Sequence, residues 1–125
     1  FLAFNFFAGK VPYETWIVPK HHNAYFSTIS KGQIKDLAKI IRRVIKRIKL
    51  HLGDVNYNMV LHTAPVNTSN RIDDIFHWHL ELMPKLTKIA GFEWGTGYYI
   101  NPVFPEDAAK MLREIELDDE EDVLK

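Results

Sequence analysis

Between Phe76 and Pro84 the chain reads Phe-His-Trp-His-Leu-Glu-Leu-Met-Pro, and this stretch constrains the fold more than any other. His77, His79 and Glu81 alternate with Trp78, Leu80 and Leu82, the period-two pattern of a half-buried strand. Side chains two apart share a face, so the polar three occupy one side and the apolar three the other. Their repeat of about 6.6 Å lets two imidazoles converge on one ion or one phosphate. Such a strand requires a sheet with one covered face and one face free for chemistry.

The cover is supplied earlier in the chain. Ser30-Lys31-Gly32-Gln33 fits a capping box, and Ile34, Leu37, Ile41, Val44 and Ile48 follow at helical spacing until Gly53. Some twenty helical residues span about 30 Å, enough to cross a small sheet. The opposite side of this helix is basic (Lys35, Lys39, Arg42, Arg43, Lys46, Arg47, Lys49). No aromatic residues interleave with those charges, so the pattern reads as a solvated face and not as a nucleic-acid surface.

The remaining segments complete an antiparallel arrangement. Residues 1–8 and 13–18 are aromatic and β-branched strands joined through Gly9-Lys10-Val11-Pro12. His21 and His22 are adjacent in a polar loop, where strand geometry would point them apart. Residues 55–63 form a strand with Asn58, Val60 and His62 on one face; antiparallel pairing with the 76–84 strand sets His62 beside the other histidines. A polar loop, 66–74, connects the two and contains a chance Asn67-Thr68-Ser69 sequon. After Pro84 the glycines of Gly91-Phe92-Glu93-Trp94-Gly95-Thr96-Gly97 suggest a tight turn, and residues 98–103 a last strand. Pro105-Glu106-Asp107 opens a short helix through Ala108, Met111, Leu112 and Ile115. The expected fold is α+β: an antiparallel sheet, one long helix across it and a shorter C-terminal helix. Residues 1–115 form one domain and 116–125 an acidic tail.

Composition excludes several classes. The 125 residues carry 16 Lys+Arg and 16 Asp+Glu, so no net charge draws the chain to nucleic acid or membrane. With no cysteine, any metal must be held by histidine and carboxylate. No apolar run approaches the roughly 20 residues of a membrane span, and no signal peptide is visible; a cytoplasmic protein is expected. The apolar opening from Phe1, without an initiator methionine, reads as the second part of a longer polypeptide.

The histidine face has three readings on pattern alone. It is a plain solvated face; or His62, His77 and His79 hold a metal, with Glu81 as a further ligand; or one histidine attacks phosphorus while its neighbour holds a phosphate oxygen. Spacing does not separate the last two.

A wider set of motifs does. Pro12-Tyr13-Glu14-Thr15, Val18-Pro19-Lys20, His62-Thr63-Ala64-Pro65, His77-Trp78-His79, Ala90-Gly91-Phe92-Glu93 and Pro105-Glu106-Asp107-Ala108-Ala109 occur in order over nearly the whole chain. Together they resemble the C-terminal half of the galactose-1-phosphate uridylyltransferases, in the histidine-triad superfamily. The resemblance implies a histidine-triad-like fold and a uridylyl transfer between UDP-glucose and galactose-1-phosphate through a nucleotidyl-histidine. It implies a structural zinc or iron on His62, His77 and His79, and hexose-phosphate contacts from Phe92, Glu93, Lys88 and Asn101. The family's nucleophile motif belongs to the N-terminal half and is absent here, so no catalytic residue is expected in this chain and the isolated chain is expected to be inactive. UDP-hexose, hexose-1-phosphate, the N-terminal half of the same polypeptide and a second subunit in a homodimer are the implied partners. Glu81 stands where a histidine-triad hydrolase has its third histidine, while His79 stands at the nucleophile position. A freestanding phosphohydrolase or nucleotidyltransferase using His79 is the alternative, and a non-catalytic sugar- or nucleotide-binding module is a third.

Overall fold

The computed structural model describes residues 1–67 and 71–117. Four antiparallel strands form one sheet in the order β1-β2-β4-β3: β1 is Leu2–Asn5, β2 Thr15–Val18, β3 Tyr57–His62 and β4 His79–Pro84. Between β2 and β3 runs the long helix α1, Lys31–Leu52, preceded by a single 3-10 turn at Phe26–Thr28. Short helices α2 (Ile72–Ile75) and α3 (Gly91–Thr96) flank β4, and α4 (Pro105–Arg113) closes the fold. This is the expected α+β architecture.

Helix α1 begins where its capping residues dictate. Ser30 Oγ accepts from the Gln33 amide at 3.2 Å, and Gln33 Oε1 accepts from the Ser30 amide at 2.9 Å. Gly53, at φ 81°, ends it in a conformation that side chains resist. Leu37, Val44 and Ile48 are buried in one core with Ile17, Leu80 and Leu82 of the sheet and with Trp78, just before β4. The first residue of the expected stripe, Ile34, is half exposed. Ala108 and Leu112 of α4 complete the same core.

Loop contacts hold the chain just before β4 and just after β3. The Trp78 amide donates to Asn23 O at 3.0 Å and the Ala64 amide to Ala24 O at 2.9 Å. The Trp78 ring is buried, with Phe26 edge-on at 5.1 Å and Phe1 at 5.8 Å.

Several expectations are corrected. The expected strand at residues 98–103 is irregular, and the expected turn at 91–97 is mostly helix α3, capped by Gly97 at φ 74°. The first strand covers only Leu2–Asn5, and β4 starts at His79, leaving His77 outside the ladder. The sequon's Thr68 and Ser69, and the acidic tail beyond Leu117, lie outside the described residues.

Candidate metal centre on the open face of the sheet

The face of the sheet turned away from α1 follows from the register. His62 pairs with His79, and Val60 with Glu81, across β3 and β4. Trp16 of β2 pairs with Glu81 from the other side. Paired residues share a face, so His62, His79, Glu81 and Trp16 stand together over the middle of the sheet.

Their polar atoms converge. His62, His79 and Glu81 each offer one ligand atom, all within 4.8 Å of one another. His62 Nε2 is 3.3 Å from Glu81 Oε2, and His79 Nε2 is 3.7 Å from Glu81 Oε1. Two ligands about 2.0–2.1 Å from one tetrahedral ion stand roughly 3.4 Å apart, close to both spacings. His79 Nδ1 is 2.9 Å from His77 O. A carbonyl only accepts, so Nδ1 carries the hydrogen and Nε2 keeps its lone pair toward the group. His62 Nε2 is buried within ion-pair reach of Glu81 but lacks a hydrogen-bond partner. A buried ring nitrogen without a partner carries a desolvation cost that a coordinated cation would remove. The donor set, two imidazoles and a carboxylate, suits zinc or ferrous iron.

His77 is not brought into this group. It precedes β4, its Nε2 donates to Pro19 O at 2.8 Å, and its ring meets His22 edge-on at 5.3 Å. His22 Nε2 is itself 2.7 Å from Asp73 O. The structure thus gathers His62 and His79 of the expected ligand set with Glu81, and directs His77 to the loop that carries Pro19.

The expected sugar-phosphate residues lie on the arm between β4 and α4. Phe92 and Lys88 are exposed; Glu93 is half buried and its Oε2 accepts from the Ala90 amide at 3.1 Å, starting α3. Asn101 has a different attachment. Its Nδ2 donates to Gly9 O (3.0 Å) and Val11 O (3.2 Å), while its Oδ1 accepts from the Val103 amide at 3.1 Å. Both amide hydrogens hold backbone, so Asn101 pins the arm to the β1–β2 connection. Gly9 itself sits where the β1–β2 connection folds tightly: a Cβ there would come within 3.1 Å of Phe6 O and 3.2 Å of Glu14 Cβ.

Two residues of this neighbourhood escape a reading of motifs. Trp16 stacks on His79 at 4.2 Å and 9°, and Glu14 Oε1 accepts from its indole N–H at 3.0 Å. The strand over residues 13–18 was legible, but only the β2–β4 register shows which ring Trp16 meets.

An α+β domain with α1 behind an antiparallel sheet and imidazoles in front of it defines the histidine-triad class of fold. A Hit-like protein from Bartonella henselae has the same architecture, with a TM-score of 0.62 at 15% identity over 89% of this chain and 76% of that one. The chain belongs to the galactose-1-phosphate uridyl transferase C-terminal domain family, whose model matches residues 1–121. It is 40% identical over 111 residues to an ADP-glucose phosphorylase of Arabidopsis thaliana, covering 89% of this chain and 32% of that protein. A crystal structure of such a phosphorylase from that plant, with bound ADP-glucose, gives a TM-score of 0.89 at 39% identity over 92% of this chain and 37% of its own. A galactose-1-phosphate uridylyltransferase of Thermotoga maritima is 38% identical over 125 residues, 94% of this chain and 39% of that protein. The chain therefore spans about a third of the length of these relatives. Among the described residues, no helix is long and apolar enough to cross a membrane.

Proposed function

We propose that this chain is the metal-anchoring and hexose-phosphate-contacting part of a nucleotidyltransferase acting on a sugar nucleotide and a sugar-1-phosphate. The reaction is the exchange of UDP-glucose and galactose-1-phosphate for glucose-1-phosphate and UDP-galactose. It proceeds by two displacements through a nucleotidyl-histidine, which divides one difficult transfer into two easier ones. The nucleophile comes from the N-terminal half of the same polypeptide, in a cytoplasmic homodimer, and residues 1–115 form the domain that supplies the rest.

The observation that carries this reading is the convergence of His62, His79 and Glu81 on one point of the open face, within a chain of this family. A zinc or iron ion bound there would tie β3 to β4 and leave a position for a ligand from the missing half. On this reading His79 is a ligand and not a nucleophile, its Nε2, which lies beside Glu81, being taken up by the ion. Phe92, Glu93 and Lys88 contact the hexose-phosphate from the exposed arm, and Asn101 holds that arm in place.

A second reading concerns the base. The likeness to an ADP-glucose-bound structure supports an adenylyl in place of a uridylyl transfer. The test is to give the full polypeptide UDP-glucose with galactose-1-phosphate, and separately ADP-glucose with inorganic phosphate. Release of glucose-1-phosphate from the first alone supports the uridylyl reading, and from the second alone the adenylyl reading. Turnover by residues 1–125 alone, abolished by His79→Ala, would replace both with a histidine-triad enzyme using His79.

A further inference from the structure

Four rings cross the open face in the order of the strands beneath them. Phe6, just past β1, stacks on Trp16 of β2 at 4.0 Å and 8°. Trp16 stacks on His79 of β4 at 4.2 Å and 9°, and His79 stacks on His62 of β3 at 4.8 Å and 16°. His79 is thus flanked on both faces. Trp16 and His79 are a diagonal cross-strand pair and His79 and His62 a directly opposite one, both within reach of aromatic rings.

The indole is itself fixed. Glu14 is buried; its Oε1 accepts from Trp16 Nε1 at 3.0 Å, and its Oε2 accepts from the Lys10 amide at 2.7 Å. Each carboxylate oxygen therefore has a donor, and the bond to the indole sets the rotation of Trp16 about its side chain. Phe6 covers the ring's other face. An imidazole has two soft side-chain torsions, and the hydrogen bond from Nδ1 to His77 O constrains it at one edge only. A flat surface parallel to the ring removes the remaining tilt.

We propose that Trp16, oriented by Glu14 and backed by Phe6, is a positioning residue that fixes the plane of His79 so that Nε2 addresses the point shared with His62 and Glu81. The inference rests on the metal reading given above and deepens it. Outer groups that orient a ligating histidine typically change metal affinity by about 10–100-fold when removed. Here the orienting group is an aromatic face in place of a hydrogen-bond acceptor.

The experiment uses the full polypeptide, histidine-labelled, in two measurements. In metal-free protein, the His79 ring protons, assigned by their loss in His79→Gln, are expected well upfield of their unfolded-state positions from the indole ring current. They move back in Trp16→Leu and partly return in Trp16→Phe. In a competition titration with Co²⁺, Trp16→Leu binds about 10–100-fold more weakly than the native protein, and Trp16→Phe restores most of that loss. Unshifted His79 protons in the native protein overturn the clamp even if Trp16→Leu fails to fold. Native-like Co²⁺ affinity in a folded Trp16→Leu variant overturns the positioning role. Native protein with shifted His79 protons that takes up no Co²⁺ supports the clamp and overturns the metal reading alone.

Discussion

His62 and His79 sit directly opposite each other across β3 and β4, their rings stacked at 4.8 Å, with the Glu81 carboxylate within 3.3 Å of one and 3.7 Å of the other. Nothing else on the described open face brings three potential ligands so close. If a divalent ion occupies this point, removing any one of these donors leaves two from this chain, and with a fourth from the missing half only three, short of the four a structural site uses. His62→Ala and Glu81→Ala are each expected to abolish stoichiometric zinc or iron in protein purified without added metal. His77→Ala is expected to retain it, since His77 Nε2 is held by Pro19 O. Elemental analysis decides, and full occupancy in Glu81→Ala with loss in His77→Ala would restore the ligand set drawn from resemblance alone.

Asn101 joins two segments about ninety residues apart in the chain through two hydrogen bonds, to Gly9 O and Val11 O, and braces its own segment through a third from the Val103 amide. Each contributes about 1 kcal/mol when the alternative is a solvated group. Asn101→Ala therefore releases the arm bearing Phe92 and Glu93 while leaving the core of α1 and the sheet in place. The expected outcome is faster amide exchange over residues 85–104 and a raised KM for the sugar phosphate, with metal content unchanged. A raised KM without faster exchange would make Asn101 a direct ligand contact.

How much of this could be read from residues alone depends on how far each feature reaches. The faces of β3 and β4 were legible because alternation is local: Trp78, Leu80 and Leu82 could bury only on the side away from His79 and Glu81. The exclusion of His77 was not, since it depends on where β4 starts pairing, and Asn23 O and Pro19 O, from another loop, determine that. Residues 98–103 have strand-like side chains, but a strand needs a partner. Here the segment pairs with no strand among the described residues, and its link to the β1–β2 connection is made by the Asn101 side chain. The stack of Trp16 on His79 required the β2–β4 register, a relation between residues some sixty positions apart.

Helix α1 carries much of the core, and its start depends on Ser30. The hydroxyl satisfies the Gln33 amide, one of the four amides a helix leaves without internal partners. Ser30→Ala is expected to lower stability by about 1 kcal/mol, and Ser30→Asp to restore it. Denaturant midpoints at constant slope measure both. Ile48→Ala opens a cavity under the sheet, where Ile48 is fully buried, and is expected to cost about 2–5 kcal/mol. If the two losses proved equal, α1 would be held by its cap and not by its packing.

Tyr13 gives the fold an alkaline limit. It has a positive φ of 61°, and its hydroxyl lies 2.8 Å from His51 Nε2 and 3.2 Å from Met111 Sδ. One arrangement satisfies both contacts: the phenol donates to the sulfur and accepts from the ring N–H. Burial, and secondarily the Asp107 carboxylate, raise its pKa above the ordinary tyrosine value of 10.0. In the window above pH 10.0 the unfolded chain therefore binds fewer protons at this residue than the folded one, and the slope of stability against pH is negative. The contribution is fully present below pH 10.0 and is lost as pH rises through the raised value. Tyr13→Phe removes the hydroxyl, costs about 1 kcal/mol at neutral pH through the lost hydrogen bonds, and flattens the alkaline slope. Thermal melts of both proteins from pH 8 to 11 measure the difference. A native-like alkaline slope in Tyr13→Phe would assign the alkaline loss to other groups and leave Tyr13 as a packing residue between α1 and α4.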